Sequence, residues 1–212
     1  MHVLVSAGPT REFLDDVRFL SNLSSGRMGY AIAQAAAEAG HAVTLVSGPT
    51  ALVPPAGVAR VEVESAEEMF RALEKAWKNA EVLVMAAAVA DYRPELRMPG
   101  KMKKEGRERL SLELVRTRDI LSELAAVKGG RVLIGFALET DALLAEATRK
   151  LAVKSLDAVV ANSLENLESD HATATVLSAD GSSETWTDLP KREFGRRIVV
   201  LAERLALSRR TA

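Results

Sequence analysis

The chain has 212 residues, 48% of them hydrophobic and 27% charged, and a formal net charge of −1. That size suits one large α/β domain, expected to span residues 1–212, and the near-neutral charge offers no global field for nucleic acid. There is no cysteine, which removes disulfides, thiolate catalysis and cysteine metal sites and suits a cytoplasmic setting.

Short apolar runs alternate with helix-period segments along the whole chain. The opening run, residues 2–6, predicts a strand; charged and glycine-rich residues arrive by position 12, so no signal peptide is expected. A polar loop, "SNLSSGRMG", then leads into an alanine-rich helix (Ala31, Ala33, Ala35, Ala36, Ala37) that can approach a sheet closely and that Gly40 stops. A second strand follows at residues 42–46, and a helix at residues 66–79 carries Met69, Phe70, Leu73 and Trp77 on one face. Ser65 and Glu68 form a capping box ahead of that helix. Further strands are expected at residues 81–87, 110–114, 131–136, 157–161 and 174–177. Helices are expected at 119–126 and 142–156 and after Pro190, the last with Ile198, Val199, Leu201 and Leu205 on its apolar face. The longest purely apolar run, residues 82–90, is far short of the ~20 residues of a bilayer span, so no membrane is expected.

Strand and helix in this rhythm predict a Rossmann-like α/β fold, a mostly parallel sheet with helices on both faces. Ligands in such sheets collect beyond the carboxyl ends of the strands, where the strand order reverses. The loops after the first, third and fifth strands are therefore the places to search. One stretch breaks the rhythm: residues 92–109, "YRPELRMPGKMKKEGRER", predict a long mobile loop, and loops of that length are usually functional or disordered.

The usual nucleotide fingerprints are not spelled. The first turn, "SAGPTRE", lacks G-x-G-x-x-G, the second strand ends on Ser47 where an acid is wanted, and no Walker sequence occurs. Tyr30 and Tyr92 are each followed four residues on by Gln34 and Leu96, which disfavours a Tyr-x-x-x-Lys oxidoreductase. His2, His41 and His171 lie scattered without ligand spacing, so neither a histidine zinc site nor a Ser-His-Asp triad is expected. What remains is Ser24, Ser25 and Gly26 at a helix entrance, where hydroxyls, free amides and the helix dipole favour an anion, although a ligand-free capped turn reads equally well. Asn22 can donate to an oxyanion, although taken alone it reads first as a turn residue. Asp91 follows an apolar strand. Lys101, Lys103 and Lys104 cluster on the long loop, and Lys150 and Lys154 share a helix face where Glu146 offers a surface partner.

Taken in order, "SAGPTRE", "VRFLSNLSSGRMG", "VTLVSGPT", "AAAVADYR", "KMKK", "RDIL", "GFALET" and "RKLAVKSLDAVVAN" resemble the phosphopantothenate–cysteine ligase family over nearly the whole chain. In many bacteria that enzyme is the carboxy-terminal half of a bifunctional coenzyme A biosynthesis protein. The resemblance implies ligation of 4′-phosphopantothenate to cysteine with CTP through an acyl-CMP intermediate, with Mg²⁺ on the nucleotide and a homodimer as the assembly. It further implies Asn22 as the residue holding the acyl group and Lys101 as the charge on the triphosphate. Ala86, Ala87, Asp91, Arg118, Asp119, Ile120, Leu121, Phe136, Lys150 and Lys154 would form the CTP site, with Lys101 reaching in. Arg18, Asn22, Ser24, Ser25 and Gly26 would meet the acid substrate. A decarboxylase, fused or separate, is the implied partner, and its flavin-dependent half is not matched here. Phe13, Arg118 and Ser163 depart from the family's pattern. The competing reading is a nucleotide-binding sensor without turnover.

Overall fold

The computed structural model describes residues 1–103, 108–138, 143–162 and 169–211. The chain opens with β1 (His2–Ala7), then a small hairpin of β2 (Arg11–Phe13) and β3 (Phe19–Ser21), before α1 (Arg27–Glu38). It continues through β4 (Ala42–Ser47), β5 (Val58–Glu62), α2 (Ala66–Trp77), β6 (Val82–Met85), β7 (Tyr92–Pro94) and β8 (Leu114–Arg116). The remainder is α3 (Ile120–Ala126), β9 (Val132–Leu138), α4 (Leu143–Val153), β10 (Ala158–Asn162), β11 (His171–Ser178), β12 (Ser183–Pro190) and α5 (Lys191–Thr211).

Eight strands form one sheet in the order β12-β11-β10-β9-β6-β1-β4-β5. The six strands from β10 to β5 run parallel, and β11 and β12 add an antiparallel edge. Numbered by chain order, the parallel six read 3-2-1-4-5-6, so the strand order reverses between β1 and β6. Both faces of the sheet are covered, and β1 is apolar without alternation for that reason. Val3, Val5 and Ala7 pack with Ile32 of α1 and with Phe194 and Ile198 of α5. Leu4 faces the other side with Met69, Leu73 and Trp77 of α2 and Leu124 of α3. The capping box at α2 is formed as the sequence suggests, Ser65 accepting from the Glu68 amide.

Three expectations need correction. Residues 110–113 are not strand: only Leu114 of that prediction lies in one, β8, which pairs with β7 outside the central sheet. Leu110, Leu112 and Leu114 alternate as a strand would, yet all three are exposed, so no face buries them. The predicted loop therefore begins as a strand, with Tyr92–Pro94 and Leu114–Arg116 forming a two-stranded ladder. The predicted strand at 81–87 ends at Met85, releasing residues 86–90 into a loop that matters below. β5, β12 and the β2–β3 hairpin were not expected, because β5 and β12 are largely exposed edges with weak apolar pattern. Ser163 and Lys104 lie outside the described residues.

Candidate functional site

The reversal point between β1 and β6 is where the loops after these strands meet, and they are laced together by short-range bonds. The Ser6 hydroxyl accepts from the Ala87 amide at 3.1 Å, and the Gly8 carbonyl accepts from Ala88 at 2.9 Å. Buried Thr10 accepts from the Ala90 amide at 2.9 Å, while the Asn22 side-chain amide donates to the Val89 carbonyl at 2.9 Å. Thr117 closes the other side, donating to the Ala90 carbonyl at 2.6 Å. The stretch 86–90 is thus a floor whose backbone is held on both flanks, mostly by the side chains of Ser6, Thr10, Asn22 and Thr117, which an isolated apolar run would not be.

The entrance to α1 explains why no glycine fingerprint is legible. Gly8 ends β1 with φ 74°, and Gly26 caps α1 with φ 76°. A Cβ on Gly26 would meet the Gly8 Cα at 3.3 Å, and one on Gly29 would meet the Ala7 Cβ at 2.5 Å. Turn, close approach and helix–strand packing are the three duties of the dinucleotide glycines. Here the same duties fall to Gly8, Gly26 and Gly29, with the β2–β3 hairpin inserted between the first two.

Two cavities open on this floor. One, of about 490 Å³, is lined by Ala87, Asp91, Arg118, Asp119, Ile120, Leu121, Phe136, Lys150 and Lys154 together with Tyr92, Arg116 and Thr117. The other, of about 670 Å³, is lined by Asn22, Ser24, Ser25, Gly26, Ala86, Ala87, Asp91, Phe136 and Lys150, with Asn162 and Lys191. Ala87, Val89, Asp91, Phe136 and Lys150 belong to both. In the shared wall the Lys150 ammonium donates to the Phe136 carbonyl at 2.6 Å. In the first cavity Lys154 pairs with Asp119 at 2.8 Å. Burial raises the Asp119 carboxyl, but Lys154 and the Ser122 amide outweigh it and hold it below the usual carboxylate range. The Arg118 guanidinium is engaged elsewhere, stacked 3.8 Å over the Phe70 ring and paired with Glu123 at 2.6 Å.

Fourteen of the sixteen expected site residues therefore gather on one surface. Arg18 and Lys101 line neither cavity. Arg18 pairs with buried Asp15 at 2.5 Å and donates to the Met102 carbonyl at 3.3 Å. Burial pushes the Asp15 carboxyl up, but the amides of Met102, Val17 and Arg18 and the Arg18 guanidinium hold it well below its ordinary value. Asp16 accepts from the Gly100 amide at 2.9 Å, and the Met98 amide donates to the Leu14 carbonyl at 2.9 Å. Residues 98–102 thus lie fastened along the hairpin turn, and exposed Lys101 projects from a clamped segment.

Two lining residues were not expected. The buried Oδ1 of Asn162, at the carboxyl end of β10, has no hydrogen-bond partner among the described residues. Lys191, the first residue of α5, is 8% exposed. Burial and the neighbouring Arg27 lower its pKa against the opposing pull of Asp170. Only a cation directly after Pro190, at a helix end that disfavours it, could have marked Lys191 in advance. Among the described residues no helix is long and apolar enough to cross a membrane, and no group of three or more metal-ligating side chains occurs.

Residues 1–205 match the family model described as the DNA/pantothenate metabolism flavoprotein C-terminal domain. The coenzyme A biosynthesis bifunctional protein CoaBC of Bacillus subtilis (strain 168) is 40% identical over 99% of this chain and 52% of its own length. Its counterpart in Escherichia coli (strain K12) is 40% identical over 85% of this chain and 46% of its length. The chain thus spans about half the length of the curated relatives it matches. A crystal structure of the C-terminal domain of a CoaBC protein superposes with a TM-score of 0.86 at 42% identity, over 98% of this chain and 96% of that one. The DNA/pantothenate metabolism flavoprotein from Streptococcus pneumoniae, 23% identical, shares the fold with a TM-score of 0.85 over 96% of this chain and 99% of its own.

Proposed function

The chain belongs to the DNA/pantothenate metabolism flavoprotein C-terminal domain family, and on that premise we propose that it is a phosphopantothenate–cysteine ligase. The observation that carries this reading is the pair of cavities with a common wall at Ala87, Asp91, Phe136 and Lys150. Two substrates between which a cytidylyl group must pass need adjoining compartments, and catalysis by juxtaposition needs no nucleophile from the protein. CTP occupies the first cavity, with its base toward residues 118–121 and its phosphates toward the wall. The acid substrate lies by Asn22.

The substrate carboxylate attacks the α-phosphorus of CTP, pyrophosphate leaves, and an acyl-CMP anhydride results. The amine of cysteine then attacks the acyl carbon, CMP leaves with its bonding electrons, and the amine loses a proton. Asn22 donates to the acyl oxygen as it gains charge, and Lys150 and Lys101 offset charge on the phosphates. A Mg²⁺ ion would travel with the nucleotide phosphates and neutralise part of their charge, since the described residues form no ligand cluster of their own. The assembly is a homodimer in the cytoplasm, and the decarboxylation that would follow belongs to a partner domain or protein.

Pyrophosphate release from CTP tests the proposal: it should require both 4′-phosphopantothenate and cysteine, and CTP should outperform ATP. Release without the acid would point to simple hydrolysis. CTP binding with no release at all would favour a nucleotide sensor.

A further inference from the structure

The wall of the first cavity at residues 117–121 leads directly into α3, and its place depends on ties to other elements. α3 has only seven residues, too few to be stable as a helix on its own. At its far end the buried Trp77 indole donates to the Leu124 carbonyl at 3.2 Å. At the cavity end three ties diverge. Thr117 secures the turn to the floor, its hydroxyl donating to the Ala90 carbonyl and its amide to the Asp91 carbonyl at 2.9 Å. Asp119 secures it to α4 through Lys154. Arg118 secures it to α2. Its guanidinium forks onto Glu123, Nε to Oε1 at 2.9 Å and Nη2 to Oε2 at 2.6 Å. The same group lies 3.8 Å over the buried Phe70 ring and within 3.8 Å of Glu67. An exposed ion pair usually contributes little, but a forked carboxylate above an aromatic face holds the side chain in one geometry that a lysine could not reproduce.

We infer that Arg118 is a positioning residue for the base of the nucleotide: through Glu123 and Phe70 it sets where the wall at residues 118–121 stands in the first cavity. The inference rests on the proposed function, which turns the base toward this wall. The guanidinium is taken up by Glu123 and Phe70, so what it offers the cavity is the placement of its neighbours Asp119, Ile120 and Leu121, which line it. A pyrimidine and a purine differ in length, and a wall held at one distance favours one of them. The competing account is a field effect: Arg118 offsets Glu67 and Glu123, whose negative charge would otherwise act on a cavity that receives a polyanion. The two accounts predict opposite results when Glu123 loses its charge.

The test is calorimetric binding of CTP, ATP and tripolyphosphate with Mg²⁺ to the whole chain, comparing wild type with Arg118→Ala, Arg118→Lys and Glu123→Gln. Arg118→Ala should weaken CTP about tenfold, the worth of a hydrogen bond to the base, and ATP and tripolyphosphate by less than about threefold, so that the preference for CTP shrinks. Arg118→Lys should lose nearly as much, because the charge stays while the fork and the stack go. Glu123→Gln should also weaken CTP, whereas removal of a negative charge near the cavity would by itself tighten the binding of every polyanion. In turnover the KM for CTP should rise several-fold while that for cysteine holds. Melting without ligand shows whether each variant is folded; should Arg118→Ala unfold, Arg118→Lys and Glu123→Gln carry the test. Unchanged CTP affinity in the folded variants overturns the inference, and so does an equal loss for CTP and tripolyphosphate, or a tighter CTP complex in Glu123→Gln. A wild-type chain that binds no CTP removes the proposed function and this role together. That failure shows before any variant is made, whereas failure of the inference alone shows only in the variants.

Discussion

At the scale of single residues, Asn22 and Lys101 illustrate opposite relations between sequence and site. Asn22 lines the second cavity with its side-chain amide already oriented, because the Val89 carbonyl accepts one of its protons at 2.9 Å. That leaves the other N–H for a ligand. In Asn22→Asp the donor becomes a carboxylate facing a carbonyl, and negative charge would confront the developing oxyanion. Acyl-CMP should accumulate on the variant, since oxyanion demand peaks when the amine attacks carbon. Quenched mixtures of variant, CTP and phosphopantothenate, with and without cysteine, show this by mass spectrometry; wild-type turnover would remove Asn22 from the chemistry. Lys101 is exposed and lines neither cavity, so its role requires the segment that carries it to bring it over the phosphates. Lys101→Gln should lower kcat by about a hundredfold with melting unchanged, because a charge that offsets the phosphates is lost while an exposed lysine contributes little to folding. Near-normal turnover would return the lysine to the status of a solvated side chain. Asn22 was legible because its neighbours spell a specific string. The place of Lys191 in the lining of that cavity was not, because it depends on α1, which begins at Arg27, 164 positions away in the chain.

At the scale of elements, the parallel strands and their helices were readable because apolar runs covered on both faces leave a strong signal. The edges were not: β5 and β12 expose most of their side chains, and strand pairing there is decided by the neighbour. The α1 entrance was half legible, its glycines present but divided by a hairpin. Gly29→Ala tests the structural reading of that entrance. Helix propensity alone favours the alanine by roughly 1 kcal/mol. The added Cβ, however, would sit 2.5 Å from the Ala7 Cβ and 2.8 Å from the Ser6 carbonyl oxygen, which are sheet atoms with little room to give. Overpacking of this kind costs about 1–3 kcal/mol, so the clash should win and the urea midpoint should fall. Because α1 would be displaced from β1, the KM values should rise as well. A more stable variant with unchanged KM would mean that α1 can slide without consequence and that its close approach is incidental.

At the scale of the whole molecule, carboxylates from distant parts of the chain are held below their ordinary values, and their signs add. Asp15 is depressed by three amides and Arg18 in spite of its burial, Glu38 by Gln34 and then Arg192, and Glu81 by the His2 amide and then Arg210. Asp119 is depressed by Lys154 against its burial, and Asp180 by Ser182. A carboxyl whose folded pKa lies below its unfolded value stabilises the fold above the unfolded value, ~3.9 for Asp and ~4.3 for Glu, and that contribution disappears as the pH falls toward the folded one. Glu12 runs the other way: burial raises it, so its protonation in acid favours the folded state and offsets part of the loss. Among the described residues five depressed carboxyls oppose one raised one, so the melting temperature should be nearly level from about pH 8 to about pH 6 and drop progressively below about pH 4. Asp15→Asn separates the contributions. Its carboxylate fastens residues 98–102 to the hairpin, and the neutral amide cannot accept the same set of four donors. The variant should therefore melt several degrees lower near pH 7, and the gap to wild type should narrow in acid as the wild-type carboxylate itself takes up a proton. A gap that stays constant down to about pH 2 would mean that Asp15 acts through shape and not through charge.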